Sequence, residues 1–195
     1  MKDKLEIANS ALERLKEGNK LYINSGKCVG DVSLQKRRDT FTNGQHPYAV
    51  IVSCSDSRVI PESIFSAGIG DLFVIRVAGN VVDNVQLGSV EYAVEHLGCR
   101  LVVVLGHTGC GAVSAAMGDN CGLVKHITDE IKRAIGEETD TVKASVLNVK
   151  QSVSKVQTSL AHTEGLKVVG ALYHTDSGVV DILGYVDASY NLVKK

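Results

Sequence analysis

Several things are missing from this 195-residue sequence, and each absence closes off a class of function. Net charge is −1, so no global basic field draws in nucleic acid and no acidic tail acts as a solvating linker. The longest apolar runs, such as Leu101–Leu105 and Ala49–Val52, fall far short of the roughly 20 residues of a membrane-spanning helix. Met1–Glu6 carries mixed charge with no apolar stretch behind it, unlike a secretory signal. The expectation is a soluble, cytoplasmic protein. Internal repeats and low-complexity segments are absent, and no domain boundary shows. The glycines complete neither Gly-x-Gly-x-x-Gly after a strand nor the Gly-Lys-Ser/Thr ending of a phosphate loop, which argues against nucleotide binding. Disulfides are not expected either. The five cysteines, at 28, 54, 99, 110 and 121, are an odd number in a chain without a secretory signal, so packing or metal binding is favoured over bridges.

What is present is a 44% hydrophobic composition, enough to bury a substantial core without staples. Lys4 to Tyr22 places Leu5, Ala8, Leu12 and Leu15 at helical spacing, and a charged connection containing Lys36, Arg37, Arg38 and Asp39 follows. Ala49–Ser53, Leu72–Val77 and Leu101–Leu105 are continuous apolar, β-branched runs, the pattern of strands buried on both faces. A helical stripe of Val90, Ala93, Val94 and Leu97 precedes the third, with Gly98 at the expected C-cap. Val124, Ile127, Ile131 and Ile135 form a further stripe, and Val142 to Val156 a less regular one. Leu166–Tyr173 and Val179–Val186 read as two strands around the turn Thr175-Asp176-Ser177-Gly178. Strands alternating with helices predict an α/β fold, a mostly parallel central sheet flanked by helices. The domain expected is one, over residues 1–195, with an N-terminal helical arm at 1–40, an α/β core at 44–195 and a C-terminal strand hairpin.

Cys54 directly follows the first strand, and His107 and Cys110 follow the third as His-x-x-Cys. In open α/β sheets ligands bind outside the carboxyl ends of the strands, so all three side chains meet if those two strands are neighbours. Two thiolates and an imidazole suit zinc, and three protein ligands leave a fourth position for water, as in a catalytic site. The plainer alternative stays open at this point: His-x-x-Cys pairs arise by chance, and a cysteine ending a strand is commonly core. Asp56 and Arg58 lie two and four residues beyond Cys54, where a guanidinium can keep a carboxylate ionised and fix its orientation. Without a metal beside it, the same pair reads as a surface ion pair in a turn. Gly106, Gly109 and Gly111 permit a tight turn around His107 and Cys110.

Cys54-Ser55-Asp56-Ser57-Arg58, Arg76-Val77-Ala78-Gly79-Asn80 and His107-Thr108-Gly109-Cys110-Gly111 resemble, in this order, the three signature segments of the β-class carbonic anhydrases. The resemblance runs from about Gly44 to Met117 and loosely through the C-terminal hairpin. It implies reversible hydration of CO2 to bicarbonate on Zn2+ held by Cys54, His107 and Cys110, with Asp56 and Arg58 as the catalytic dyad. It implies that Gln45 hydrogen-bonds substrate from a partner subunit, that Phe73, Tyr92 and Gly111 line the substrate pocket, and that the N-terminal arm lies across a neighbouring subunit of a homodimer or dimer-based oligomer. Some members hold an inhibitory bicarbonate with a tryptophan three residues before the first cysteine, plus an arginine. Arg76 matches the arginine, but Ile51 occupies the other position and the chain has no tryptophan, so an open site with weak or absent bicarbonate control is expected. Relatives that hydrolyse carbon disulfide or carbonyl sulfide share the ligands, and a non-catalytic zinc or bicarbonate-sensing protein is the alternative from another class. Cys99 is expected out of reach of the site and Cys121 to be packing.

Overall fold

A computed structural model describes residues 3–186 together with Leu192 and Val193. Its centre is a six-stranded sheet in the order β2-β1-β3-β4-β5-β6. β1 (Ala49–Ser53), β2 (Leu72–Arg76), β3 (Leu101–His107) and β4 (Lys167–Tyr173) run parallel. β5 (Val180–Val186) turns back antiparallel to β4, and β6 (Leu192–Val193) pairs antiparallel to β5. Every residue of β1 and β3 is buried, as expected of central strands with helices on both faces.

Side-chain alternation splits the core into two layers. Ala49, Ile51, Leu101, Val103 and Leu105 face a layer built with α1 (Lys4–Ser25) and α3 (Pro61–Ile64). Val50, Val52, Val102 and Val104 face the other way, against α4 (Asn84–Glu95) and α7 (Thr141–Ser159). Fully burying each such branched side chain stabilises the fold by roughly 1.5–3 kcal/mol, so the two central strands anchor the structure. Beyond the carboxyl ends of the strands, α5 (Gly111–Ala116) and α6 (Lys125–Ile135) contribute to a smaller apolar cluster.

α1 starts at Asp3, whose carboxylate accepts from the Leu5 N–H, and ends at Gly26 in the left-handed conformation. Its buried face, from Ala8 through Leu12 and Leu15 to Asn19, lies against the sheet of its own chain. The approach is close: a Cβ on Gly18 would come within 1.9 Å of the Phe65 carbonyl oxygen. At the next residue, Asn19 Nδ2 donates to the carbonyls of Ile64 (3.1 Å) and Gly178 (2.9 Å), while its Oδ1 accepts from the Val180 N–H (3.0 Å).

The charged connection is itself a helix, α2 (Leu34–Asn43), capped by Ser33. It buries none of its residues, so it carries no apolar stripe toward this chain's core for periodicity to reveal. Phe41 on it is 92% exposed. β3 runs on to His107, past the expected end at Leu105, and α4 ends at Glu95 with Gly98, at φ 74°, just beyond the cap.

Asn19→Ala strands two carbonyls and an amide in a buried seam. Urea unfolding is expected to show a loss of about 2–3 kcal/mol; a loss below about 0.5 kcal/mol, the ordinary range for a surface substitution, would mean that the clasp does not secure α1.

Candidate metal centre

β1 and β3 are neighbours, with Ser53 opposite Leu105. From β1 the chain moves to β2 on one side, whereas from β3 it moves to β4 on the other. The connections part there, leaving a crevice outside the carboxyl ends. Cys54 is the first residue after β1, His107 the last of β3, and Cys110 caps α5. Between the latter two, Gly109 takes φ 66°, a left-handed turn that glycine adopts without steric cost and that swings Cys110 back toward His107. The ligand atoms of Cys54, His107 and Cys110 all lie within 4.8 Å of one another, and all three residues are buried.

Hydrogen bonding leaves this cluster ready for a cation. His107 Nδ1 lies 3.0 Å from the Thr108 carbonyl, which can only accept, so the ring proton is on Nδ1. Nε2 then carries a lone pair, yet it is wholly buried and has no hydrogen-bond partner. An orphaned acceptor of this kind is costly unless something coordinates it. Cys54 Sγ accepts from the N–H groups of Gly79 (3.2 Å) and Asp56 (3.4 Å). The Cys54 thiol is pulled well below its ordinary value, first by a hydrogen bond from Cys110 and then by these amides, whereas Cys110 is pushed up by the same shared bond and by burial. Val81, Val113, Ile131 and Ala144 pack around the two thiols. A thiolate–imidazole–thiolate set in a dry pocket suits zinc.

Arg58 grips Asp56 at both oxygens: Nε donates to Oδ1 (2.9 Å) and Nη2 to Oδ2 (2.8 Å). The same Nη2 reaches the Gly109 carbonyl at 3.1 Å, tying the carboxylate to the turn that carries Cys110. Arg58 foremost holds the Asp56 carboxyl well below the usual carboxylate range. Asp56 Oδ2 faces His107 Nε2 at 3.9 Å, beyond hydrogen-bond reach, and Asp56 stands outside the three-ligand group. Arg76 fixes the loop from behind, donating to the carbonyls of Cys54 (3.2 Å) and Asp56 (2.8 Å).

Comparison with known proteins gives the same reading from another direction. The family profile described as "Carbonic anhydrase" matches residues 49–180. A carbonic anhydrase of Mycolicibacterium smegmatis is 35% identical across 91% of this chain and 94% of its own length. Carbonic anhydrase 2 of Mycobacterium tuberculosis is 48% identical over 55% of this chain and 52% of its own. Among solved structures, the β-carbonic anhydrase CafA of Aspergillus fumigatus superposes with a TM-score of 0.69 at 27% identity, covering 90% of this chain and 89% of that one. Tetrameric β-carbonic anhydrases of Sordaria macrospora give 0.67 at 26% identity, covering 77% and 88%. The chain belongs to the β-class carbonic anhydrases.

In this carbonic anhydrase five of the residues singled out from sequence come together: Cys54, Asp56, Arg58, His107 and Cys110. Gly111 follows as the first, exposed residue of α5. Three others are not brought to the cluster. Gln45 precedes β1, so the full strand, about 16 Å at ~3.3 Å per residue, separates it from Cys54. Phe73 lies three residues before the carboxyl end of β2, stacked on Tyr92 of α4 at 6.1 Å between ring centroids. Cys99 sits at the opposite end of β3, its Sγ donating to the Pro47 carbonyl at 3.2 Å. Cys121 is exposed rather than packed, and neither joins the cluster. The proton-transfer candidates are scattered: His96 stacks on Tyr92, His174 pairs with Asp181 at 2.8 Å, and His46, His126 and His162 are exposed.

Sequence patterning missed the supports of the Gly79 amide. Along one face of α7, Asn148 Nδ2 donates to the Gly79 carbonyl (2.7 Å), Ser152 Oγ to that of Asn80 (3.1 Å) and Lys155 Nζ to that of Val82 (3.2 Å). Polar residues four and three apart inside a buried helical stripe were the available signal. They hold a loop with two consecutive positive φ angles, 67° at Gly79 and 45° at Asn80. Asn148→Ala leaves the Gly79 carbonyl buried and unpaired. A stability loss of about 1–3 kcal/mol by denaturant titration is expected, and an unchanged midpoint would remove this helix from the support of the site.

Proposed function

We propose that this protein catalyses the reversible hydration of CO2 to bicarbonate and a proton on a zinc ion held by Cys54, His107 and Cys110. The observation that carries the reading is the buried, unpartnered Nε2 of His107 set among two thiols, with an ionised carboxylate 3.9 Å away. When bound, zinc supplies a Lewis acid that lowers the pKa of water toward neutrality and so provides a nucleophile for CO2. The side chains supply the rest. Asp56, held as an anion, is an acceptor only; it takes a hydrogen bond from the attacking oxygen and turns that oxygen's lone pair toward the carbon. Arg58 prevents Asp56 from turning onto the metal, since both carboxylate oxygens are engaged in the fork. Ile51, buried in the sheet, offers no indole for an inhibitory bicarbonate, and Arg76 is spent on backbone carbonyls.

Asp56→Asn should keep its zinc and lose about a hundredfold or more in CO2 hydration measured by stopped flow, because misaligned attack costs on that order. The parent rate should rise between pH 7 and 9. Two thiolates leave the metal less acidifying than neutral imidazoles would, and Asp56, with its lowered pKa, is already ionised across that window and contributes no slope. Full zinc occupancy with no hydration above buffer would reject the reading.

Gln45, Phe73 and Tyr92 complete the substrate pocket from a second copy of the chain, since they lie away from the metal cluster of their own. Supporting this, α2 buries nothing within its chain, and Val32, Leu34 and Phe41 around it are exposed. The assembly is a homodimer or a multiple of it. Phe41→Glu is expected to shift the mass seen by light scattering toward the monomer and to lower hydration at unchanged zinc content. A fully active monomer would exclude a shared site.

A further inference from the structure

The turn between β4 and β5 does more than reverse the chain. Thr175, its first residue, meets Thr108, the residue after His107, at three points. The Thr175 N–H donates to Thr108 Oγ1 (3.1 Å), the two hydroxyl oxygens are 3.1 Å apart, and Thr175 Oγ1 reaches the Thr108 carbonyl at 3.5 Å. A further bond, from the Thr108 N–H to the Tyr173 carbonyl (2.9 Å), fixes the same residue to the end of β4.

Counting protons sets the direction of this circuit. A backbone N–H can only donate, so the Thr175 amide makes Thr108 Oγ1 an acceptor. The Thr108 carbonyl can only accept, so the Thr175 hydroxyl proton is the one directed to it, and this leaves the Thr108 hydroxyl as the donor between the two hydroxyls. That carbonyl also receives the Nδ1–H of His107. Each donor has one acceptor, and hydrogen bonds chained in this way polarise one another. The carbonyl is the atom that selects the imidazole tautomer leaving Nε2 free for a metal, and partners of this kind orient metal-ligating histidines and raise their affinity.

We propose that Thr175 is a positioning residue for the metal-ligating imidazole: its hydroxyl holds the Thr108 carbonyl in place, and through it the tautomer and ring angle of His107. This rests on the assignment of His107 as a metal ligand and adds a distant turn residue to the site.

The test compares the parent with Thr175→Val, which keeps the branched shape without the hydroxyl, and Thr175→Ser, which keeps the hydroxyl. Cobalt(II) affinity is read by chelator competition together with the visible ligand-field spectrum, and thermal midpoints of the metal-free proteins check folding. The valine variant should bind cobalt about tenfold more weakly with an altered spectrum, and the serine variant should match the parent. Imidazole nitrogen NMR of the metal-free proteins gives a readout independent of any ion: one tautomer, protonated at Nδ1, in the parent and serine variant, and a mixture in the valine variant. Thr175→Ala replaces the valine variant if that does not fold. Equal affinity and a single tautomer in all variants would overturn the role of Thr175 while leaving the metal site standing. A parent that binds no cobalt would overturn the metal assignment and this proposal together.

Discussion

The parallel pairing of β1 with β3 is the constraint on which the site depends. It places Ser53 beside Leu105, so that Cys54 and His107 emerge at neighbouring strand ends without any flexible segment having to find them. The residues that enforce this pairing are remote from the chemistry: Val50, Ile51, Val52 and Val102 to Leu105 are completely buried and alternate between two apolar layers. A slip of one residue would turn each of those side chains to the other face. Site geometry and core packing are therefore one specification.

Around that fixed pair, the structure spends its polar groups on holding short loops. The Cys54–Arg58 loop is held by Arg76 through two of its carbonyls, and the Ala78–Asn80 turn by a ladder of side chains on α7. The Gly109 turn is tied to Arg58, and the end of β3 to the β4–β5 turn. Buried polar side chains are costly unless satisfied, and these are satisfied by backbone groups of loops that no regular structure would otherwise pair. The arrangement gives the cluster a rigid surround, as a site that must hold donor atoms within a few tenths of an ångström requires.

The electrostatics follow the same division of labour. Asp56 and Arg58 are within four residues of Cys54, so a local fork forms whatever the rest of the chain does, and it keeps the carboxylate ionised. The thiols differ. Cys54 becomes the more acidic member first through Cys110, from the turn after β3, with the amides of Asp56 in its own loop and of Gly79 in the loop after β2 adding to it. Charge on the carboxylate is a local property, whereas charge on the thiol depends chiefly on tertiary contacts.

By itself, the sequence determined strands β1 to β5 and the longer helices that bury a face in their own chain, because burial imposes a period of two or 3.6 on apolar residues; α3 and α5 bury residues as well but are too short to display a period. It also determined the chemistry available at the ends of β1 and β3, since donor atoms are properties of residue types. Local spacing sufficed for the Asp56–Arg58 pair and for the turn at Thr175. It could not reveal α2, which buries nothing, nor the ladder on α7, whose partners lie about seventy residues away. It could not place Gln45, Phe73 and Tyr92 relative to the metal ligands, because their separation is a matter of which end of a strand each occupies. Strand order itself was decided only by tertiary structure: adjacency results from how two layers of side chains pack at once, and no short-range pattern records which buried strand will lie beside which.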